Sequence, residues 1–355
     1  MRILMISVKS DKSRGGIAVW TKFFLSRCSN HNIETDLVNT EVIGKRLQNA
    51  TSGRNVYDEF CRTRLIFGQL KRYLKSSSNE YEIAHLNTSC GPYGLIRDYF
   101  IARTIVKKNI NVVTQFRCDI PFWIKNPISK FFLKKLCEIS SERMVLCDNS
   151  QNYLKDTFGI SSIKMPNFID DSVVLNNPKS INQSLRKAVF VGRVSNDKGA
   201  KELYELAERF PDITFELVGE VTSLVEGYEK PSNVVLRGSS EHNKVIEYMD
   251  GADFFIFPTH SEGFSIALTE AMARGLPSVA TDVGANKDMI YPDCGYIVNV
   301  GDVDAMETAI KKLYSHEARE KMSNNSLTKV KNEYVPDVVI DKLKSIYIKN
   351  SKRVR

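Results

Sequence analysis

Short apolar runs that stop at polar loops alternate along this chain with stretches whose apolar residues recur every three or four positions. "RILMIS", "IETDLVNT", "YEIAHLNT", "NVVTQF" and "RMVLCDNS" read as strands, each followed by helix-like sequence. The pattern restarts at "KAVFVGRV", a strand running into a glycine turn. A helix "AKELYELAERF" and a strand "ITFELVGE" follow. "NVVLRG", "KVIEYMDGA", "DFFIFP", "SIALTEAMARG", "PSVATDV" and "CGYIVNV" continue the alternation, and three helices close the chain at about 302–314, 317–331 and 336–349. Strand and helix in strict alternation predict doubly wound α/β sheets.

The texture breaks once. Around "IKMPNFIDDSVVLNNPKSINQSLRK", Pro, Asn and Ser cluster and periodicity is lost. The expected organisation is an amino-terminal Rossmann-like domain over 1–168, a linker over 169–187 and a carboxyl-terminal Rossmann-like domain over 188–335. A last helix over 336–355 can cross back to the first domain, with a frayed basic end "KNSKRVR". Two such domains are expected to face each other across a cleft, with ligands at the carboxyl ends of the strands. "MRILMISVKSD" leads straight into a strand rather than forming a signal peptide, and runs such as "FFIFP" are far shorter than the ~20 residues that span a bilayer. A soluble or peripheral protein is the expectation.

Composition changes this picture in two places. Residues 1–170 hold 26 Lys and Arg against 15 Asp and Glu, while the rest hold 24 against 27, so the net +8 of the whole chain resides in the amino-terminal half. Such asymmetry suits an anionic partner, or a solvated basic face. Seven scattered cysteines without CxxC spacing read as buried, reduced thiols rather than a disulfide framework or a zinc site.

The candidate chemistry centres on "PTHSEGFSIALTEAMARG". A helix is expected to start near Phe264 or Ser265. Its first amides, those of Gly263, Phe264 and Ser265 among them, lack acceptors and offer a place for an anion or polar oxygens. Glu262 stands just before it, and Glu270 more than a turn inside an apolar stretch. Two readings are open. Glu262 can serve the helix dipole and Glu270 can pair with Arg274 at i,i+4. Alternatively, the two carboxylates bind a polyhydroxylated ligand, which better explains a carboxylate in a buried helix. In "VFVGRVSNDKGAKEL", Arg193 and Lys198 follow a strand within one loop; they are surface charges or a grip on a diphosphate. Gly15 and Gly16 lie between the first strand and a helix, where a backbone can approach a phosphate or merely turn. GxGxxG does not occur in these loops.

Read together, "FVGRVSNDKG", "LRG", "YMDGADFFIFPTHSEGFSIALTEAMARGLPSVATDVGANKDMI" and "GYIVNVGDVDAMETAI" resemble the retaining glycosyltransferases of family four, which have the GT-B fold. The E-x7-E element from Glu262 to Glu270 is the most specific part of the match. Gly15-Gly16, the strand leading to Asn87, "CDNS" and "PNFID" match the amino-terminal half more loosely. The resemblance implies that Glu270 binds the ribose of a nucleotide-sugar. Glu262 and the amides of Gly263, Phe264 and Ser265 would face the donor sugar and its phosphate, with Arg193 and Lys198 holding the diphosphate. Gly16 would let the amino-terminal domain reach that diphosphate when the cleft closes. It implies transfer with retained configuration, no cofactor and no metal.

Three departures stand out. Where the family often has a histidine after the strand "NVVTQFRCD", this chain offers Phe116 or Arg117. "EGFS" replaces the commoner "EGFG". Asp302 and Asp304 form a D-x-D that is expected to cap a helix rather than bind metal.

On the acceptor side, "PFWIKNPISKFFLKKLCEI" predicts a basic amphipathic helix after Pro127, either an ordinary domain helix or one that lies on an anionic bilayer. Bacterial members of the family often use lipid-linked acceptors. The expected partners are therefore a nucleotide-sugar, a saccharide or polyprenyl-diphosphate-linked saccharide, and an anionic membrane surface at the inner face of the cytoplasmic membrane. The expected role is synthesis of O-antigen, capsule or exopolysaccharide. A sugar-nucleotide epimerase on the same fold is the alternative. A nucleic-acid binder is suggested only by the basic charge, and no motif supports it.

Overall fold

A computed structural model describes residues 1–9, 16–43, 55–76, 81–222 and 229–351. The chain divides into two compact units, one of residues 1–167 with 336–355 and the other of residues 168–335. Gly15 and the last four residues of the basic end lie outside the described residues.

The first unit carries six parallel strands: β1 (Arg2–Ser7), β2 (Glu34–Asn39), β3 (Ile83–Thr88), β4 (Val112–Phe116), β5 (Glu142–Val145) and β6 (Ile163–Lys164). Their order is β2-β1-β3-β4-β5-β6. Its helices are α1 (Gly16–Arg27), α2 (Val56–Ser76), α3 (Pro92–Val106), α4 (Ile120–Trp123), α5 (Pro127–Ile139), α6 (Asp148–Phe158) and the returning α13 (Pro336–Ser351). Side chains alternate across the strands. Leu4, Ile6, Ala84 and Leu86 join one core with Ile66 and Leu70 of α2, Leu95 and Ala102 of α3, and Leu133 and Leu136 of α5. His85 points the other way, towards Trp20 of α1 and Tyr347 of α13. Both faces of β3 are buried, with Ala84 and Leu86 on one and Ile83, His85 and Asn87 on the other.

The expectation of reduced cysteines fails at one pair: Cys90 and Cys118 are disulfide-bonded, with Cα atoms 6.5 Å apart. Each follows its strand by two residues, and β3 and β4 are register partners at Thr88 and Phe116. Adjacency in the sheet brings them together, and a separation of 28 residues gives no local sign of it.

The second unit carries β7 (Lys187–Val191), β8 (Thr214–Val218), β9 (Val234–Gly238), β10 (Phe254–Phe257), β11 (Ser278–Thr281) and β12 (Gly295–Val298), all parallel, in the order β12-β11-β10-β7-β8-β9. Its helices are α7 (Ala200–Arg209), α8 (His242–Asp250), α9 (Ile266–Ala273), α10 (Asn286–Ile290), α11 (Val303–Lys312) and α12 (His316–Glu333). This is the dinucleotide-fold order, in which the winding reverses between β7 and β10 and leaves a crevice at their carboxyl ends. The stretch before β7 is tied down along this unit. Lys179 donates to the carbonyls of Asp250 and Ala252, both at 2.7 Å, and Arg319 of α12 donates to those of Asn182 and Gln183.

Asp302 caps α11, its Oδ1 accepting from the Ala305 amide at 2.9 Å, while Asp304 pairs with Arg209. The second aspartate of the D-x-D is thus committed to an ion pair on the helix surface.

Candidate functional site

The loops after β7 and β10 meet at the crevice of the second unit. Gly199 sits at φ +83°, and a Cβ there would lie 2.3 Å from the Pro258 carbonyl oxygen. Only glycine lets these two loops touch. From the other side, Gly284 sits at φ +53°, and a Cβ there would lie 2.4 Å from the carbonyl oxygen of Glu262. The segment bearing Glu262 is therefore held between two glycine contacts, and the Ala285 amide donates to the Gly263 carbonyl at 3.0 Å.

This close approach brings together residues 64 positions apart. Lys198 Nζ donates to Glu262 Oε1 at 2.7 Å and to the Ser261 carbonyl at 2.8 Å. The pair is largely but not wholly shielded, with side-chain exposures of 16% and 21%. Arg193 lies at the same strand end but points outward, half exposed, with Nη2 3.4 Å from Asp197. Ser265 caps α9, its Oγ accepting from the Leu268 amide at 3.1 Å. Among the described residues, the amides of Gly263, Phe264 and Ser265 have no hydrogen-bond partner. They remain donors for a ligand. The Phe264 ring is buried against Tyr334 and fixes the start of the helix from below.

Glu270 does not pair with Arg274. Arg274 turns to Asp250, with Nε and Nη2 at 2.7 and 2.8 Å from its carboxylate, and Nη1 donates to the Val173 carbonyl. The bidentate geometry of Asp250 outcompetes a single-turn neighbour. Glu270 instead meets His242 of α8, Oε1 to Nε2 at 2.8 Å. That hydrogen bond raises the His242 imidazole above its ordinary value, against a smaller effect of burial. His242 is the residue that sequence reasoning missed. It lies 28 positions away on another helix, and "EHN" carries no motif. His260 was missed as well. Its Nε2 stands 2.6 Å from Glu202 at the start of α7, and its amide donates to the Asp197 carbonyl, joining the same two loops again.

The first unit holds a different polar cluster at the carboxyl ends of β1, β3 and β4. Phe116 is in the hydrophobic core, so Arg117 is the residue at the strand end. Its guanidinium lies 3.8 Å over the Trp20 ring, its Nε donates to Asn87 Oδ1 at 2.8 Å, and its Nη1 donates to Asn167. Asn87 also donates to Ser7 at 3.0 Å. Nη2 of Arg117 is buried with no hydrogen-bond partner among the described residues. Burial pulls the guanidinium below its ordinary value. Burial, followed by the neighbouring Arg117 charge, holds His85 down to about 3, so its imidazole is neutral at physiological pH. Gly16 opens α1, and among the described residues a Cβ there would meet no atom within 4 Å.

Residues 175–329, nearly all of the second unit, match the family model "Glycosyl transferases group 1". A capsular polysaccharide biosynthesis glycosyltransferase, CapM of Staphylococcus aureus, is 28% identical over 172 residues, 44% of each chain. A UDP-Gal:alpha-D-GlcNAc-diphosphoundecaprenol alpha-1,3-galactosyltransferase of Escherichia coli is 25% identical over 39% of this chain and 37% of that one. The chain thus spans less than half the length of these two relatives. Whole-chain likeness comes from solved structures. The sucrose-phosphate synthase of Thermosynechococcus elongatus superposes with a TM-score of 0.77 at 16% identity, covering 98% of both chains. Anabaena HepE, solved with UDP-glucose, superposes with 0.70 at 14%, covering 98% of this chain and all of its own. Two six-stranded parallel sheets of this kind are the GT-B fold, and the segment 175–329 matches the glycosyl transferases group 1.

Proposed function

We propose that this protein is a retaining glycosyltransferase that moves a sugar from a nucleotide-sugar to a saccharide acceptor. The acceptor is polyprenyl-diphosphate-linked, the product is a cell-surface polysaccharide, and the work takes place at the inner face of the cytoplasmic membrane. The observation that carries the donor half is the 2.7 Å contact of Lys198 with Glu262 beside the free amides at the start of α9. One cation, one carboxylate and three donors converge where a doubly wound sheet binds ligands. A relative whose name specifies a diphosphoundecaprenol-linked acceptor, and a structural neighbour holding UDP-glucose, support the lipid-linked acceptor and a UDP donor.

In this reading the ribose hydroxyls displace His242 and donate to Glu270. The donor phosphates accept from Lys198, from Arg193 swung inward, and from the amides of Gly263, Phe264 and Ser265. Glu262 faces the sugar hydroxyls. The bond between the anomeric carbon and the phosphate oxygen breaks, and the diphosphate leaves with the electron pair. The acceptor oxygen bonds to the same face of that carbon, and its proton passes to the departing phosphate. Lys198 and Arg193 stabilise charge that grows only as the bond breaks, which is the effective place to spend electrostatics. No protein base is required.

A thermal-shift panel of UDP-, GDP-, ADP- and dTDP-sugars tests the donor half. One nucleotide family should stabilise the protein, and a flat panel would remove the donor site. Turnover with a polyprenyl-diphosphate saccharide, followed by NMR of the new linkage, should show the donor's anomeric configuration retained. Donor rearrangement without release of nucleoside diphosphate would favour an epimerase instead.

A further inference from the structure

An apolar groove of about 540 Å³ lies in the first unit between α2 and α3. Val56, Phe60 and Phe67 line it from α2, and Tyr93, Ile96 and Phe100 from α3. These large side chains are open to solvent: Val56 is 75% exposed, Phe60 64% and Tyr93 55%. Phe100 continues the surface onto α5 through ring contacts with Phe132, which touches Phe131 in turn. Phe131 and Ile128 of α5 are also exposed. Leu133, Leu136 and Cys137 anchor α5 in the core, so its remaining apolar residues are surplus to packing. A connected apolar surface of this extent on a folded domain marks an interaction site.

Its surroundings are basic. α2 carries five Lys and Arg against two acids, α3 two against one, and α5 three against one. Three of the four acids are spent internally, which leaves Asp58: Glu59 pairs with Arg62, Asp98 with Arg97, and Glu138 with Lys134 and Lys135. Arg64, Lys71, Arg103, Lys107, Lys130 and Lys134 stand exposed on the same helices or just beyond their ends. An apolar insert belted by cations is complementary to one surface above others, a bilayer bearing anionic head groups. The volume also favours a chain over a folded partner, since a helix ~10–12 Å across would fit for only about one turn.

We propose that the α2–α3 groove holds one hydrocarbon chain of an anionic membrane lipid, with α5 lying in the head-group layer beside it. This goes beyond the sugar-transfer reading, because it concerns lipid binding in the absence of donor and acceptor. The cations set the encounter with anionic head groups, and chain insertion sets the residence time.

The test is flotation of the full chain with vesicles of phosphatidylcholine alone and of phosphatidylcholine mixed with phosphatidylglycerol. Wild type should bind the mixed vesicles at least tenfold more than the neutral ones. Phe60→Asp with Phe100→Asp should abolish binding, while Lys130→Glu with Lys134→Glu should remove its salt sensitivity. Ile96→Trp keeps the face apolar but fills the groove, and it should reduce binding several-fold and lose the phosphatidylglycerol adduct in native mass spectrometry. All the substituted side chains except Ile96 are exposed, and unchanged melting curves and UDP-sugar shifts would show that fold and donor site persist. Equal binding to neutral vesicles, or wild-type binding by the Phe60/Phe100 and Ile96 variants, would overturn the proposal. So would self-association abolished by Phe60→Asp without any vesicle binding, which would assign the face to a second copy of the chain.

Discussion

The two units solve the same problem, placing charge at strand ends, in opposite ways. In the second unit the charges are partly open and paired with one another: Lys198 with Glu262, His242 with Glu270. Such pairs are easily exchanged for a ligand. In the first unit Arg117 is buried, stacked over Trp20 and tied to Asn87 and Asn167. That network is structural as much as it is receptive, and only one nitrogen is left over. The cation that must let go, Lys198, meets a carboxylate that a ligand can replace, in a crevice only partly closed to solvent. A cation that must stay is held by several in the core.

Four measurements break or sharpen that contrast. The largest effect is expected at Arg117. Arg117→Ala takes the guanidinium donor from the buried amide oxygens of Asn87 and Asn167 and should cost about 1–3 kcal/mol for each in urea unfolding. A loss under 1 kcal/mol would mean that the network is not structural. Lys198→Ala should leave melting nearly unchanged yet lower kcat/KM by about a hundred- to a thousand-fold, as removal of one transition-state donor does. Equal losses of stability and turnover would erase the difference between the units. Glu270→Ala should weaken the best nucleotide-sugar by about 1–3 kcal/mol in calorimetry, for lost hydrogen bonds to a charged group.

The smallest effect is one of pH. The folded pKa of His242 lies above the unfolded 6.5, so its stabilising contribution is complete below that value and fades as pH rises through the folded pKa. Ribose must compete with the imidazolium for Glu270, so donor affinity should rise a few-fold over the same interval. His242→Ala should flatten that rise, and an unchanged pH profile would separate the pair from donor binding.

Legibility in the sequence followed the range of the interaction. The strands and the start of α9 could be read because the period of apolar residues and the cap at Ser265 are local. The meeting of Lys198 with Glu262 was accessible through topology, since loops on the carboxyl side of strands β7 and β10 share a crevice. The partner of Glu270 was not, because His242 reaches it from a separate helix. Nor was the choice between Phe116 and Arg117, which depends on where β4 ends by one residue, nor the Cys90–Cys118 bond, which depends on strand order. The apolar excess of α5 was visible, but the groove beside it is made by α2 and α3, and no one helix reveals a space shared by two.

The glycine contacts on either side of Glu262 carry a consequence for anyone wishing to alter sugar preference. A loop wedged between Gly199 and Gly284 cannot be reshaped by small backbone adjustments, because each wedge is a steric limit rather than a spring. New specificity must come from exchanging side chains on a fixed track. A grafted 258–263 segment would take its native course only in a host that supplies both glycines.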